Sequence, residues 1–478
     1  MYPDWVEKYR KSGTEIKCIR GKYYLYERTT VWNKEKKQPQ KISGKYLGRI
    51  TEEKGLIGPQ KRIVEEIKPE SIPNKEYGIS AYLCQIGEDI QKNLQKHLPD
   101  YWENIWTMAI LRLAEPQPFK RIENTYQNSY LSVTYPGQNL SKQNLSFFLQ
   151  RLGNQRPKIV DFMKEYTSGT QHILIDGTKI TSYSEKMDYA QVGYNIQRSY
   201  DPQINLLYAF SIQPGIQPVY YRVVPGSICD ISAFRNSVDE SCLKNMVIIA
   251  DKGFGSEANL QKMEELKLSY IIPLHRNNLA LKIDKIRNGH ANGFEDYFVY
   301  NHRPIFCFSD KINDKIFCTY IDDDLRTKEE TDYILRIEEN REEYTRERFN
   351  ENRLKFGSLL LVSNLDLSPK DIYLMYKTRC TIEQSFDFLK TLLEQDKTYM
   401  QSDIAMEAWS FINHISLMLC YRLFTILREK DLLKKYAIED VFQLLSFIRK
   451  LYINHSWIYS EVPRKSRLLV DLLDFHLQ

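Results

Sequence analysis

The sequence of 478 residues lacks the features of a membrane-spanning or disulfide-stabilised protein. Its eight cysteines include no Cys-x-x-Cys pair and no Cys/His cluster at zinc spacing, which argues against a disulfide framework and a zinc site. No uncharged run approaches the roughly 18 residues that a membrane span needs, and the N-terminus has no charged-then-apolar signal. These absences predict a cytosolic protein that does not enter the membrane and whose cysteines are reduced and buried.

Positive charge is concentrated at the N-terminus. The chain has a net charge of +5, yet residues 1–62 contain sixteen Lys and Arg against seven Asp and Glu. A basic end on an otherwise near-neutral chain indicates a polyanion partner such as DNA, although a solvated basic face has the same composition. Alternating residues on both sides of Gly21-Lys22 predict a β-hairpin with that pair at its tip. We therefore predict a small, basic, β-rich, DNA-binding domain over 1–75.

Changes in the hydrophobic pattern divide the rest of the chain. Residues 76–170 have helical periodicity, and the two helices around Gly153 fit either a DNA-reading pair or a packed helical hairpin. Strand patterns follow over 171–274, and 275–355 contain a second group of strands and a highly charged helix. The acidic run Asp322–Asp324 in that group is predicted to be a solvated turn. The predicted segments are a helical domain (76–170), the first part of a catalytic core (171–274), an insertion domain (275–355), the second part of the core (356–428) and a C-terminal helical segment (429–478).

Two aspartates stand where buried strands are predicted to end. Asp176 and Asp251 each close a run rich in Val, Ile and Leu, and a turn that contains glycine follows each of them. A carboxylate at the end of a buried strand lies at the edge of the sheet, where open α/β sheets bind ligands. One such aspartate is common in proteins. Two of them, together with an acid on a later helix, form a more specific pattern.

The later acid is Glu383, on a helix predicted to begin at Ser368-Pro369. At about 100° per residue, four functional side chains of this helix fall within an arc of about 60°: Tyr376, Arg379, Glu383 and Lys390. A solvent-exposed helix face can carry the same residue types, since Arg379 and Glu383 also form a weakly stabilising i,i+4 pair. The two strand-end aspartates favour a shared site over that alternative.

Three carboxylates suit a site for two divalent metal ions. Mg²⁺ prefers hard oxygen ligands, and two ions about 3.5–4 Å apart stabilise the attacking and leaving oxygens of phosphodiester cleavage. Beside such a site, Arg379 and Lys390 would contact DNA phosphates and Tyr376 would hydrogen-bond a phosphate. Lys179 and Lys252 lie next to the two aspartates in the sequence, and they either contact phosphate or face solvent.

The motifs resemble those of the DDE transposases of bacterial insertion sequences, specifically the group of insertion sequence four with its Y-R-E-K signature. The string Tyr376-x2-Arg379-x3-Glu383-x6-Lys390 matches that signature. The elements Asp176-Gly177-Thr178 and Asp251-x-Gly253-Phe254 are similar to the two aspartate motifs of the family. The resemblance extends from about 172 to 428, and the N-terminal strings GKYYLYE and YLGRI are similar to the branch with longer basic N-termini.

The resemblance implies an α/β fold: a ribonuclease-H-like mixed-sheet core, interrupted by a β-rich insertion, with helical flanking segments. It implies Asp176, Asp251 and Glu383 as catalytic metal ligands for Mg²⁺, with Mn²⁺ able to substitute, and Thr178 among the DNA contacts. The implied reaction is hydrolysis at transposon ends to give 3′-OH groups, followed by their attack on target DNA. Double-stranded DNA, a homodimer on that DNA and association with the bacterial nucleoid are the expected partners and location.

Two departures from the family pattern stand out. The insertion contains no Trp, which puts in doubt a hairpin route that uses an aromatic to hold a flipped base, and Cys380 occupies a position where an aromatic is usual. Two other functions remain open from the sequence. One is a ribonuclease-H-like nuclease that cuts without joining, and the other is a non-catalytic DNA-binding protein derived from a transposase.

Overall fold

The structure is a computed structural model, which describes the residues in these ranges: 2–33, 38–59, 72–168, 172–192, 201–211, 216–227, 240, 247–250, 252–282, 296–340, 342–379 and 397–477. Two compact units divide the chain, Met1–Ile72 and Pro73–Gln478. The predicted boundary at residue 75 is therefore three residues late, because the strand Asn74–Glu76 pairs within the second unit.

The first unit is a four-stranded antiparallel sheet with a short helix, α1 (Asp4–Glu7), against it. Its strands follow the chain in the order β1 (Thr14–Ile19), β2 (Lys22–Asn33), β3 (Gln38–Thr51) and β4 (Gly55–Ile57). Val6, Ile16, Leu25 and Ile50 form its small core. The β1–β2 turn lies at Arg20-Gly21, one residue before the predicted tip, because both residues adopt the positive φ that a tight hairpin turn requires.

Helices dominate the beginning of the second unit, which opens with the strand β5 (Asn74–Glu76). The helices are α2 (Gly78–Ile86), α3 (Glu88–His97), α4 (Trp102–Ala114), α5 (Ile122–Asn128), α6 (Leu131–Thr134), α7 (Lys142–Gly153) and α8 (Arg156–Thr167). Gly153 lies so close to Ile404 that a Cβ on it would be 1.9 Å from the Ile404 carbonyl oxygen. The end of α7 is thus pressed against a later helix.

A large mixed sheet forms the centre of the second unit. Its strands are β6 (His172–Ser182), β7 (Gln191–Val192), β8 (Pro202–Ser211), β9 (Gln217–Pro225), β10 (Val247–Ile249), β11 (Ser269–Leu274), β12 (Asp296–Tyr300), β13 (Arg303–Ile312), β14 (Lys315–Ile321), β15 (Ser358–Ser363) and β16 (Lys397–Thr398). Along the sheet the main order is β12-β13-β14-β15-β11-β10-β6-β8-β7, while β9 pairs with β8 and β16 pairs with β6. The protein is therefore a mixed α/β protein, with the helix α9 (Glu257–Glu265) between β10 and β11.

The predicted insertion at 275–355 does not form a sheet of its own. Its antiparallel strands β12, β13 and β14 continue the central sheet, because β14 pairs with β15 along six residues. The segment belongs to the second compact unit. The charged stretch that follows is two helices, α10 (Asp323–Glu339) and α11 (Arg346–Asn352), and neither has a buried residue.

The acidic run at Asp322 is a helix start, and the prediction of a solvated turn is wrong. The Asp322 side chain accepts a hydrogen bond of 2.9 Å from the backbone N–H of Leu325 and pairs with Arg303 at 2.8 Å. It is 6% exposed. A carboxylate at this position satisfies a free N–H group of the first helical turn.

The end of the chain combines helices with a small sheet. The helices are α12 (Asp403–Glu429), α13 (Ile438–Ser446) and α14 (Arg464–Leu472). The predicted helical segment 429–478 also contains β17 (Arg449–Ile453) and β18 (Ser456–Tyr459), which pair with β5 in a three-stranded sheet. The hairpin forms because Asn454 and His455 take positive φ at its tip.

The long helix α12 lies in the core. By length and composition it is apolar enough to cross a membrane, but 78% of its most apolar window is buried inside the protein. It packs against α4, α7 and β9. Among the described cysteines, Cys307, Cys318 and Cys420 are buried as predicted, whereas Cys18 is exposed.

Candidate active site

The strand that carries Asp176 lies inside the sheet. β6 pairs antiparallel with β8, where Asp176 stands opposite Tyr208, and it pairs parallel with β10 on its other side. In the β6–β10 register, Ile249 is the partner of Leu174. β10 ends at Ile249, whereas β6 continues to Ser182. The prediction that Asp176 closes its strand is therefore wrong: Asp176 lies within β6, because the residues after it go on pairing with β8. The structure describes the backbone position of Asp176 and Thr178 only, and Asp251 lies outside the described residues.

Two lysines near the predicted aspartates are solvent-exposed. Lys179 lies in β6 opposite Asn205 of β8, and Lys252 begins the 3-10 turn Lys252–Phe254. Phe254, at the end of that turn, is buried in the main core. The loop after β10 is therefore held by an apolar side chain while Lys252 remains accessible at its surface.

The residues of the Y-R-E-K string begin on a helix that covers 369–379 of the described chain. This helix is anchored through Tyr373, whose ring contacts Phe298 and Tyr320 at centroid distances of 5.1 and 4.9 Å. The Tyr320 hydroxyl donates a hydrogen bond of 2.6 Å to the carbonyl oxygen of Pro369. The strands β12 and β14 of the predicted insertion thus position the start of the helix.

Tyr376 and Arg379 follow on the same helix. Tyr376 is half-buried and packs against the main core, and Arg379 is 7% exposed. A buried guanidinium is costly unless opposite charge compensates it. Glu383 and Lys390 lie outside the described residues, so the structure brings together two of the four predicted side chains of this face and does not describe the other two.

A charged network behind the sheet was not predicted from the sequence. Arg156, at the start of α8, pairs with Glu240 at 2.9 Å and with Glu407 of α12 at 2.8 Å. Its guanidinium also donates hydrogen bonds of 3.1 Å to the Tyr220 hydroxyl and to the Tyr221 carbonyl oxygen of β9. Burial alone would raise the pKa of Glu240, but the hydrogen bond and charge of Arg156 hold that pKa below its usual value.

A buried histidine adjoins this network. His414 of α12 is fully buried, and its ring stacks on Tyr208 at 6.2 Å and contacts Tyr221 at 5.2 Å. Burial lowers the pKa of His414 to about 3, with a further contribution from the positive charge of Arg156. The imidazole is therefore neutral at physiological pH. Tyr208 is the register partner of Asp176, so the neutral ring supports the strand next to the predicted site.

Within the described part of the chain, no group of three or more His, Cys, Asp and Glu is arranged to hold a metal ion. Two of the three predicted ligands, Asp251 and Glu383, lie outside that part, and only the backbone is described for Asp176.

One comparison with known proteins identifies the family. The model of the transposase DDE domain matches residues 167–419, which is just over half of the chain. The chain belongs to this family. DDE transposases act on DNA and generally use divalent metal ions, so the chain is a transposase in the broad sense. The matched DDE domain begins just before β6 and ends within α12. No curated protein matches the chain.

Proposed function

We propose that this transposase cuts DNA at the ends of an insertion sequence and joins the resulting 3′-OH groups to target DNA, with Asp176, Asp251 and Glu383 as the catalytic metal ligands. The observation that carries the proposal is the parallel register of β6 and β10. Ile249 pairs with Leu174, and each of these residues stands two positions before one of the two aspartates in the sequence. β10 ends at Ile249, so the chain leaves β10 beside the middle of β6, where Asp176 stands. Ligand sites in open α/β sheets lie where strands end at their carboxyl side.

The strand order supports a ribonuclease-H-like core. β6, β8 and β9 form an antiparallel meander in sequence order, and β10 and β11 add in parallel on the other side of β6. The first strand of the core therefore lies in the middle of these five strands and carries Asp176. We propose that the carboxylates of Asp251, after β10, and of Glu383 approach Asp176 on this central strand.

The helix at 369–379 supports membership of the insertion-sequence-four group with its Y-R-E-K signature. Arg379 is buried and stands four residues before Glu383 in the sequence. We therefore propose that the charge of Arg379 positions the three carboxylates. Tyr376, Lys390 and Thr178 are proposed to contact the phosphate backbone of DNA. Exposed Lys179 and Lys252 are proposed to do the same from β6 and from the turn after β10.

The donor chemistry fits a hard divalent cation. Three carboxylates offer only oxygen ligands, which suits Mg²⁺ and also Mn²⁺. Bound there, the metal supplies charge stabilisation for the attacking and leaving oxygens. The protein's own part is to hold the three carboxylates together, to orient the scissile phosphate through the cations, and to keep the attacking hydroxyl in line with the bond that breaks.

The same reasoning extends to the partners. We propose that the chain acts on double-stranded DNA, both at the terminal inverted repeats and at the target, as a homodimer that holds two ends. The site of action would be the bacterial nucleoid in the cytoplasm. The absence of Trp from 275–355 argues for second-strand processing that does not depend on a Trp-held base in this segment.

A paired cleavage and joining assay tests the proposal. Labelled duplexes that carry the inverted repeats of the element are incubated with Mg²⁺ and supercoiled target, and nicks and joined products are measured separately. We expect Asp176→Ala to abolish both products, while Asp188→Ala, an exposed aspartate in the loop after β6, retains them.

The two other functions predict different outcomes in this assay. Metal-dependent nicks without any joined product would indicate a nuclease that does not transfer strands. DNA binding with no metal-dependent product in the wild-type protein would indicate a non-catalytic derivative, and either result would refute the proposed reaction.

A further inference from the structure

The strands β2 and β3 extend far beyond the sheet of the first unit. β1 pairs with β2 only along Lys22–Glu27, and β4 pairs with β3 only along Arg49–Thr51. Beyond these stretches β2 and β3 continue to pair with each other, from Arg28 opposite Ser43 to Asn33 opposite Gln38. We call the segments 28–33 and 38–43 the ribbon. Six residue pairs at about 3.4 Å per residue make it roughly 20 Å long.

The two faces of the ribbon differ in chemistry. Residues that stand opposite each other in an antiparallel pair share a face. One face, called the cationic face, carries these residues: Arg28, Thr30, Trp32, Pro39, Lys41 and Ser43. The other, called the amide face, carries Thr29, Val31, Gln38, Gln40 and Ile42. Apart from half-buried Arg28, all of these residues are exposed.

The exposed apolar side chains indicate that the ribbon has a partner. Trp32 is 61% exposed, Val31 50% and Ile42 45%. Two-stranded ribbons with free edges are prone to unwanted pairing unless charge or a partner covers them. Trp32 lies on the same face as the cations Arg28 and Lys41. A Trp beside cations suits a polyanion with flat, apolar components, such as the sugar and base surfaces of a nucleic acid.

We propose that the ribbon enters the major groove of double-stranded DNA on edge, so that its cationic face lies toward the phosphates of one wall and its amide face lies toward base edges. The major groove is about 12 Å wide and admits a two-stranded β-ribbon. Glutamine side chains such as Gln40 can hydrogen-bond adenine, and apolar side chains such as Val31 can contact the thymine methyl group. This inference rests on the proposed action on DNA and names the surface that binds it.

Charge favours DNA over a second copy of this chain. Residues 1–62 carry sixteen basic against seven acidic side chains, so two copies would repel each other through this unit. Glu15, which contacts the foot of the ribbon, is occupied within the unit: it accepts a hydrogen bond from Ser43 and pairs with Lys17 at 3.2 Å. Glu27, opposite the bulge that precedes Arg28, lies outside the ribbon.

The salt dependence of DNA binding tests this surface in the full-length protein. Binding to a labelled duplex of about two helical turns is measured by anisotropy in EDTA, so that no catalysis contributes. Each phosphate contact contributes about 0.9 to the slope of log affinity against log salt. We expect Arg28→Gln/Lys41→Gln to make that slope shallower by about 1.8, so that from about 50 to 200 mM salt the wild-type protein loses about tenfold more affinity than the variant.

The matched control removes the same charges at the opposite end of the sheet. Arg20→Gln/Lys54→Gln changes the β1–β2 and β3–β4 turns, both exposed, and should leave the slope within about 0.3 of the wild-type value. Trp32→Ala is expected to lower affinity about tenfold at every salt concentration without a change in slope, because it removes contact area but no charge.

The outcomes are distinct. An unchanged slope in the ribbon variant, an equal loss in the control variant, or a change in sedimentation with unchanged DNA binding would overturn the proposal. The last result would instead indicate a second copy of the chain. The binding assay contains no metal and therefore does not depend on catalysis. A shallower slope would support the ribbon as a DNA-binding surface even if the protein failed to cleave and join DNA. An unchanged slope would overturn the ribbon proposal without contradicting the proposed catalysis.

Discussion

The charged network around Arg156 gives a stability prediction that the structure makes quantitative. In Arg156→Met the side chain keeps most of its apolar volume and loses the guanidinium, which donates to Glu240, Glu407, Tyr220 and Tyr221. The two carboxylates would remain, with side chains only 26% and 16% exposed. The substitution thus leaves two largely buried negative charges without their main counter-charge.

The expected cost follows from what the carboxylates retain. Removing one partner of a buried ion pair costs about 3–5 kcal/mol. Glu240 keeps Arg222 at 2.9 Å, and Glu407 keeps the hydroxyl of Tyr221 at 2.5 Å. These contacts and the remaining solvent exposure partly compensate the two carboxylates. We therefore expect Arg156→Met to lower the free energy of unfolding by about 3 kcal/mol, the lower end of the range.

Urea unfolding followed by far-ultraviolet circular dichroism measures this loss, since nearly all described helices belong to the second unit. Lys158→Met removes one positive charge from an exposed position of the same helix and should cost under about 0.5 kcal/mol. Adding Glu407→Gln to Arg156→Met should recover part of the stability, because one uncompensated charge is removed. A loss below about 1 kcal/mol, or one equal to that of Lys158→Met, would refute the reasoning.

Two further perturbations probe the packing behind the site. His414 has a pKa of about 3 in the folded protein against 6.5 in the unfolded chain, so the unfolded state binds a proton first as the pH falls. The contribution of neutral His414 to the free energy of unfolding is complete above pH 6.5 and is lost as the pH falls toward 3. The free energy of unfolding should therefore be lower by about 2 kcal/mol at pH 5 than at pH 8. In unfolding titrations, His414→Phe should remove this pH dependence. An equal pH dependence in both proteins would contradict the assignment. Gly153→Ala would place a Cβ 1.9 Å from the Ile404 carbonyl oxygen and should lower the free energy of unfolding by about 1–3 kcal/mol, measured by thermal unfolding. In the control Gly58→Ala the new Cβ would have nothing within 4 Å, so no such loss is expected. Equal losses in the two variants would contradict the close approach of α7 and α12.

Local patterns predicted the strands of the core better than their partners. The apolar runs before Asp176 and in Ser358–Ser363 are strands, because short β-branched stretches bounded by turns have few alternatives. The pairing of β14 with β15 was not predictable, since the choice of partner at a sheet edge depends on contacts distant in sequence. For the same reason the segment 275–355 was interpreted as a separate domain and continues the central sheet instead.

Helix and strand were confused where the pattern was short. Residues 429–478 were predicted as a helical segment, but α13 ends at Ser446 and the strand β17 follows. A run of seven or fewer residues of mixed apolar character fits both the helical and the strand periodicity. Here β17 is a strand because it pairs with β18 across the Asn454-His455 turn and with β5 on its other side.

For the proposed site, the three acids and their spacing remain sequence-based predictions, and the residues that pack near them were not predicted. Arg156 has no sequence feature that distinguishes it from a surface arginine, because its partners Glu240 and Glu407 are 84 and 251 positions away. The burial of Arg379 was equally unexpected, since a periodicity argument assigns a face of the helix but not what covers that face.

The central claim, that three distant acids hold metal ions together, has a direct measurement. Fe²⁺ replaces Mg²⁺ in the protein, ascorbate and peroxide generate hydroxyl radicals at the bound ion, and mass spectrometry locates the cuts in the chain. We predict cuts around Asp176, Asp251 and Glu383 together, suppressed by excess Mg²⁺ and lost in Asp176→Ala. Cuts near only one of these residues, or cuts that Mg²⁺ does not suppress, would contradict a shared metal site.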